Sequence, residues 1–181
     1  MKKTILLFSL VILTGSVFAQ SKSTTSGVIT FDATTEKDAL PKADNKTVVG
    51  EVDTKTGAVG FEAAVKNFSF SNPMMQDHFN SDKWLNSGKY PVMTFSGKIA
   101  DLSKVNFTKN GTYTVAVSGD LTIKDITKPL STTVKLVVNG SSVTASSSFS
   151  VKLSDYDITG VPVDAGKVAR EPKVTLSATL K

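Results

Sequence analysis

The chain contains no cysteine. Disulfides, thiol catalysis and Cys-ligated metals are thereby excluded. It has a single histidine, His78. Asp77, Asp82, Ser71 and Ser81 are near it in sequence, but a nucleophilic triad needs its base held between nucleophile and acid. No spacing here enforces that, and no Gly-x-Ser-x-Gly elbow occurs. One imidazole with scattered carboxylates does not make a zinc site, and Asp-rich loops of calcium-binding spacing are missing. The residues thus point away from an enzyme and name no metal ligand. Long apolar runs are also lacking. Ile5 to Leu13 is the one continuous stretch, too short to span a bilayer.

That short run follows Lys2 and Lys3 and precedes Val17-Phe18-Ala19. A positive start, an apolar centre and small residues at the last and third-last positions read as an export signal, residues 1–19, cleaved before Gln20. No Cys stands at the cleavage point, so lipoprotein-type acylation is excluded. The mature protein is expected to be soluble and exported, most simply to the periplasm. Its remaining length suits one domain, able to bury roughly two-thirds of its unfolded surface without disulfides. The formal charge is +5, of which Lys2 and Lys3 supply two. The other lysines are scattered, so no nucleic-acid footprint is read. Such a surface would meet an anionic membrane weakly and transiently. A monomer or weak homodimer is expected.

Residues 20–26 are polar and are read as a disordered tail. Beyond them, apolar residues recur every second position. Eight strands follow: around Ile29–Ala33, Val48–Asp53, Ala58–Lys66, Val92–Ile99, Thr112–Ile123, Leu130–Val138, Val143–Leu153 and Lys173–Leu180. Thr54-Lys55-Thr56-Gly57 joins the second and third. Asn110-Gly111 and Asn139-Gly140 are read as hairpin turns. The stretch 154–172 carries Gly160, Pro162, Gly166 and Pro172, which argue against a strand. Eight antiparallel strands in meander order form a sandwich or close into a barrel, which removes exposed edges. An eight-stranded barrel holds its own side chains or one slim ligand.

One segment breaks the strand pattern. Phe68, Phe70, Met74, Met75, His78, Phe79, Trp84, Tyr90, Met93 and Phe95 crowd into 68–95. Asn72 and Pro73 open a short helix there and Ser81 opens a second turn. Met and aromatic side chains adapt to irregular apolar space, so this segment reads as the wall or lid of an apolar site. Candidate ligand contacts are Phe61, Phe68, Phe70, Met74, Met75, His78, Phe79, Trp84, Phe95, Tyr113, Val115, Phe149 and Leu153. The alternative is that these side chains simply fill the barrel, leaving a non-catalytic structural or interaction module.

The block from Asp77 to Leu85, the following Lys89-Tyr90-Pro91 with Thr94-Phe95, and Val117-Ser-Gly-Asp-Leu-Thr-Ile-Lys-Asp-Ile-Thr-Lys128 together resemble the YceI-like family. Ser154-Asp155-Tyr156 and the closing strand match its layout too, so the resemblance covers essentially 27–181. It implies an all-β fold: an eight-stranded antiparallel lipocalin-like barrel with a short helical segment between strands 3 and 4. It also implies a periplasmic, non-catalytic protein with no cofactor, whose tunnel holds a polyisoprenoid chain such as an isoprenoid quinone or polyprenyl lipid. Where many members carry an Arg-Asp pair before the His, this chain has Met75-Gln76.

Overall fold

The structure, a computed structural model, describes residues 21–181. The export signal and its cleavage before Gln20 lie outside the described residues. In chain order the elements are β1 (Ser21–Asp32), β2 (Lys42–Asp53), β3 (Ala58–Ala64), β4 (Ser69–Phe70), α1 (Pro73–Asn80), β5 (Val92–Ile99), β6 (Gly111–Ile123), β7 (Ile126–Asn139), β8 (Ser142–Ser150), α2 (Val161–Asp164) and β9 (Lys173–Leu180). Their hydrogen-bonded order is β1-β9-β8-β7-β6-β5-β3-β2, and β2 pairs back onto β1. Every pairing is antiparallel. Eight strands therefore close a barrel. The two-residue β4 is a ninth element, laid against the start of β2 through Ala43 and Asp44.

The closing β1–β2 ladder extends into residues that composition assigns to a disordered tail. Ser21 to Thr24 pair with Gly50 to Asp53 of β2. On the other side, the Ser23 N–H donates to the Lys181 carbonyl and the Lys181 N–H returns the bond to Ser23, at 3.1 and 3.0 Å. These bonds use backbone groups, so polar Ser and Thr side chains do not prevent them. β2 likewise starts earlier than its apolar pattern indicates. Asn45 interrupts that pattern yet is fully buried, its amide donating to the Ala64 carbonyl at 2.9 Å and its oxygen accepting from Thr47.

Two turns differ from expectation. Asn139 is the last residue of β7, paired with Ser142, so Gly140-Ser141 makes the turn and Gly140 takes the positive φ, 57°. Asn110-Gly111 is not a hairpin turn. It ends the crossing 100–110, and the Asn110 side chain accepts from the Gly140 N–H at 2.8 Å, tying two connections at one barrel end. Asp53 shapes the β2–β3 turn by accepting from the N–H groups of Lys55 and Thr56.

The core lies in two clusters. One gathers Val52, Ile99, Val105, Val115, Leu136 and Leu180 beneath the 100–110 crossing. The other gathers Phe68, Phe79, Trp84, Leu153, Tyr156 and Val163 beneath α1 and the 151–168 connection. Period-2 alternation brings side chains from every barrel strand inward. At mid-height, however, inward Leu121, Leu130, Val134, Phe149 and Leu176 are only half-buried. Their free surface faces the inside of the barrel.

Candidate functional site: an apolar tunnel

That inner surface belongs to a cavity of about 170 Å³ running between the two clusters. Its wall includes Phe68, Phe79 and Trp84 at one end and Val52, Ile99 and Leu180 at the other. Polar residues on it are few. Thr132 and Ser147 point inward, their hydroxyls 2.9 Å apart, and the Ser147 hydroxyl also donates to the Thr133 carbonyl. Glu62 and Thr94 stand on the outward faces of β3 and β5. No Lys, Arg or His lines the cavity.

The lumen stays open because glycines thin the wall beneath two rings. A Cβ at Gly50 would lie 2.3 Å from the Phe61 ring, and one at Gly97 would lie 2.7 Å from the tip of the Phe95 ring. A Cβ at Gly119 would lie 2.9 Å from the same ring and 2.3 Å from the Ser96 carbonyl. Phe61 and Phe95 therefore lie against the glycine strips instead of crossing the lumen.

The α1 end is an aromatic plug. Asn72 caps α1, its side-chain oxygen accepting from the Met74 N–H at 2.9 Å, and Pro73 occupies the first turn, as the sequence predicts. Gln76 accepts from the Phe70 N–H at 3.1 Å and so tethers α1 to β4. Phe79 is the helix's one buried residue. Its ring centre lies 5.9, 5.5 and 4.9 Å from those of Phe31, Phe68 and Phe70, and 6.4 Å from Trp84. Ser81 ends α1 and opens the second turn that the sequence predicts. Its hydroxyl donates to the His78 carbonyl, and its own carbonyl accepts from Trp84 and Asn86.

Beyond the plug, the Tyr90 hydroxyl donates to Asp125 at 2.9 Å, and Lys124 donates to the Asp157 carbonyl at 3.3 Å. The Tyr90 bond holds the Asp125 carboxyl below its ordinary range, with Lys89 and Lys124 adding to the effect. The same Tyr90 raises Lys89, whose ammonium sits 4.8 Å from its ring. Burial, with Asp155 nearby, pushes up the Tyr156 phenol inside the plug.

Of the candidate contacts, Phe61, Phe68, Phe79, Trp84, Phe95, Val115, Phe149 and Leu153 line the cavity. The other five do not. Met74 is 80 % exposed on the outer side of α1, and Met75 is half-buried away from the wall. An eight-residue helix with one inward side chain cannot turn both adjacent methionines to the barrel. Phe70 supports Phe79 from behind. Tyr113 sits at the far rim, donating to the Lys109 carbonyl at 2.9 Å. His78 is exposed, its ring 5.3 Å from that of Trp84. No group of side chains suited to hold a metal occurs among the described residues. The pattern did not single out Ile29, Phe31, Leu121, Leu130, Val134 and Leu176 as ligand contacts, although their alternation already placed most of them inward.

A closed eight-stranded barrel with an axial apolar cavity and an aromatic plug agrees with the match of residues 14–180 to the YceI-like domain. The chain belongs to the YceI-like family. Among solved structures, this YceI-like chain is similar to BcnA of Burkholderia cenocepacia, at 20% identity and a TM-score of 0.72, covering 86% of this chain and 96% of that one. It is also similar to a polyisoprenoid-binding domain from Saccharophagus degradans implicated in plant cell wall breakdown, at 13% identity and a TM-score of 0.76, covering 90% and 98%. A Campylobacter jejuni YceI protein aligns at 17% identity and a TM-score of 0.54, covering 75% and 81%. At these identities the likenesses speak for the fold. None of the curated proteins matches this sequence. No helix among the described residues is long and apolar enough to cross a membrane.

Proposed function

We propose that this YceI-like protein is an exported, non-catalytic carrier that holds an isoprenoid or similar lipid-like molecule inside its barrel. The observation that carries the reading is the apolar cavity of about 170 Å³ between two packed clusters. A well-packed interior leaves few voids larger than a water molecule. An apolar cavity of roughly 150 Å³ stays dry and takes up an aromatic ring. The family, and the polyisoprenoid binding named for the Saccharophagus domain, support a chain-like occupant.

Packed side-chain clusters flank the tunnel at both ends, so uptake of a long chain is expected to move a plug. The segment 68–90 is the natural lid. Its helix is held by one buried side chain, and it leaves through Asn86, which has a positive φ of 47°. Each buried CH₂ of an occupant contributes about 0.8 kcal/mol. Three isoprene units would thus supply on the order of 12 kcal/mol before the costs of ordering the chain are subtracted. Tight binding and slow release follow. A longer polyprenyl chain requires the lid to lift or Phe61, Phe95 and Phe149 to turn.

Native mass spectrometry of the secreted protein, purified without detergent and then solvent-extracted, tests the reading. An apolar adduct near one per protein, removed by extraction and restored by adding prenyl lipid, is the expected result. A bare protein that takes up no prenyl lipid would favour the second reading, a filled-barrel interaction module, for which the buried plugs at both ends speak.

A further inference from the structure

Asn110-Gly111 and Asn139-Gly140 are the chain's two Asn-Gly pairs, and the fold brings them together at one barrel end. An Asn-Gly bond is chemically labile, because the glycine carries no side chain to shield its nitrogen. Once that nitrogen loses its proton it can attack the side-chain carbonyl carbon of the preceding asparagine. A C–N bond forms, the carboxamide C–N bond breaks, ammonia leaves and a cyclic imide results. Water then opens the ring to aspartate or, where the main chain now runs through the side chain, to isoaspartate. The two pairs are placed differently. Gly111 begins β6 and pairs with Val138. Gly140 lies in the turn, beyond the last β7–β8 pair of Asn139 with Ser142, and both Asn139 and Gly140 are exposed. The Gly140 N–H, the group that would attack Asn139, donates to Asn110 Oδ1 at 2.8 Å. The Lys22 ammonium donates to the next carbonyl in the turn, that of Ser141.

We propose that Asn139 is a site of spontaneous deamidation in the folded protein and that Asn110 holds it in check. The hydrogen bond to Asn110 keeps the proton on the attacking nitrogen and fixes the plane of its peptide, so imide formation must first break it. The inference is independent of the carrier reading. Its consequence is local. Isoaspartate at 139 lengthens β7 by an extra main-chain atom next to Val138 and Val143, which are buried in the cluster at this end. Ageing at this one residue therefore loosens the barrel end opposite α1.

Incubation of the secreted protein at mildly alkaline pH, followed by digestion and peptide mass spectrometry, tests this, with isoaspartate separated from aspartate by chromatography. In Asn110→Ala, Asn139 should deamidate roughly three- to tenfold faster than in the unaltered protein, the scale of one net hydrogen bond. Asn110→Asp keeps an oxygen acceptor at that position, so Asn139 should react there at close to the unaltered rate. Circular dichroism before incubation checks that both variants are folded. In urea, where all three chains lose the contact, their rates at Asn139 should converge. Equal rates in folded Asn110→Ala and the unaltered protein, Asn110→Asp reacting as fast as Asn110→Ala, or a difference that persists in urea would each overturn the protective role of Asn110. An Asn139 that keeps its amide in every folded form overturns the site itself.

Discussion

Phe79 carries more of the plug than any other side chain, since it touches the rings of Phe31, Phe68, Phe70 and Trp84 and is α1's one buried anchor. Replacing it with alanine should lower stability by about 3–5 kcal/mol, read from denaturant midpoints. Met74→Ala, on the exposed side of the same helix, should change it by less than about 0.5 kcal/mol. Tyr90 offers a subtler test. Its hydrogen bond favours the charged form of Asp125. Because the folded carboxyl titrates below its unfolded value, the contribution to stability is present above pH ~3.9 and fades as pH falls through the lowered folded value. In Tyr90→Phe, the Asp125 midpoint followed by carboxyl-carbon NMR should rise towards that ordinary value.

The same logic applies to whole strands, where close approach and edge pairing decide the outcome. Gly50 sits under Phe61, so Gly50→Ala must push that ring away from β2. The ring's free direction is the lumen, and prenyl-lipid uptake should fall at least several-fold while the far-ultraviolet circular dichroism stays strand-like. Gly119→Ala should behave differently. Its Cβ meets the Ser96 carbonyl and Gly97 backbone, so it forces β5 and β6 apart and destabilises the barrel itself. Residues 21–26 carry the outer part of the barrel's closing ladder, where 21–24 pair with β2 and Ser23 bonds Lys181. Deleting them should raise amide exchange at Lys181, just past the end of β9, and in residues 50–53, the groups left without partners.

Across the whole molecule, two packed clusters leave a central gap whose filling the folded state can exploit. An occupant that binds only the folded protein stabilises it by RT ln(1 + [L]/Kd), about 2.7 kcal/mol at a hundredfold excess over Kd. Thermal melting with added prenyl lipid should therefore shift upward with concentration, and solvent-extracted protein should melt lower than protein carrying its adduct.

Alternation, turn residues and the helix cap are local properties, so the sequence by itself determined the strand-rich character, the short capped helix and the inward sets on β6, β7 and β9. Its motifs also carried the family resemblance. What it could not show depends on partners distant in the chain. Residues 21–26 look featureless until Lys181 and β2 supply their hydrogen bonds. Asn45 looks like a surface residue until the Ala64 carbonyl receives its amide. The segment 68–95 concentrates aromatic and methionine side chains, yet only the packing around Phe79 separates Trp84, on the tunnel wall, from Met74 and His78, outside it. The cavity itself is a property of closure. Glycines on β2, β5 and β6 let Phe61 and Phe95 lie flat, and that juxtaposition across strands leaves the cavity open between the two clusters.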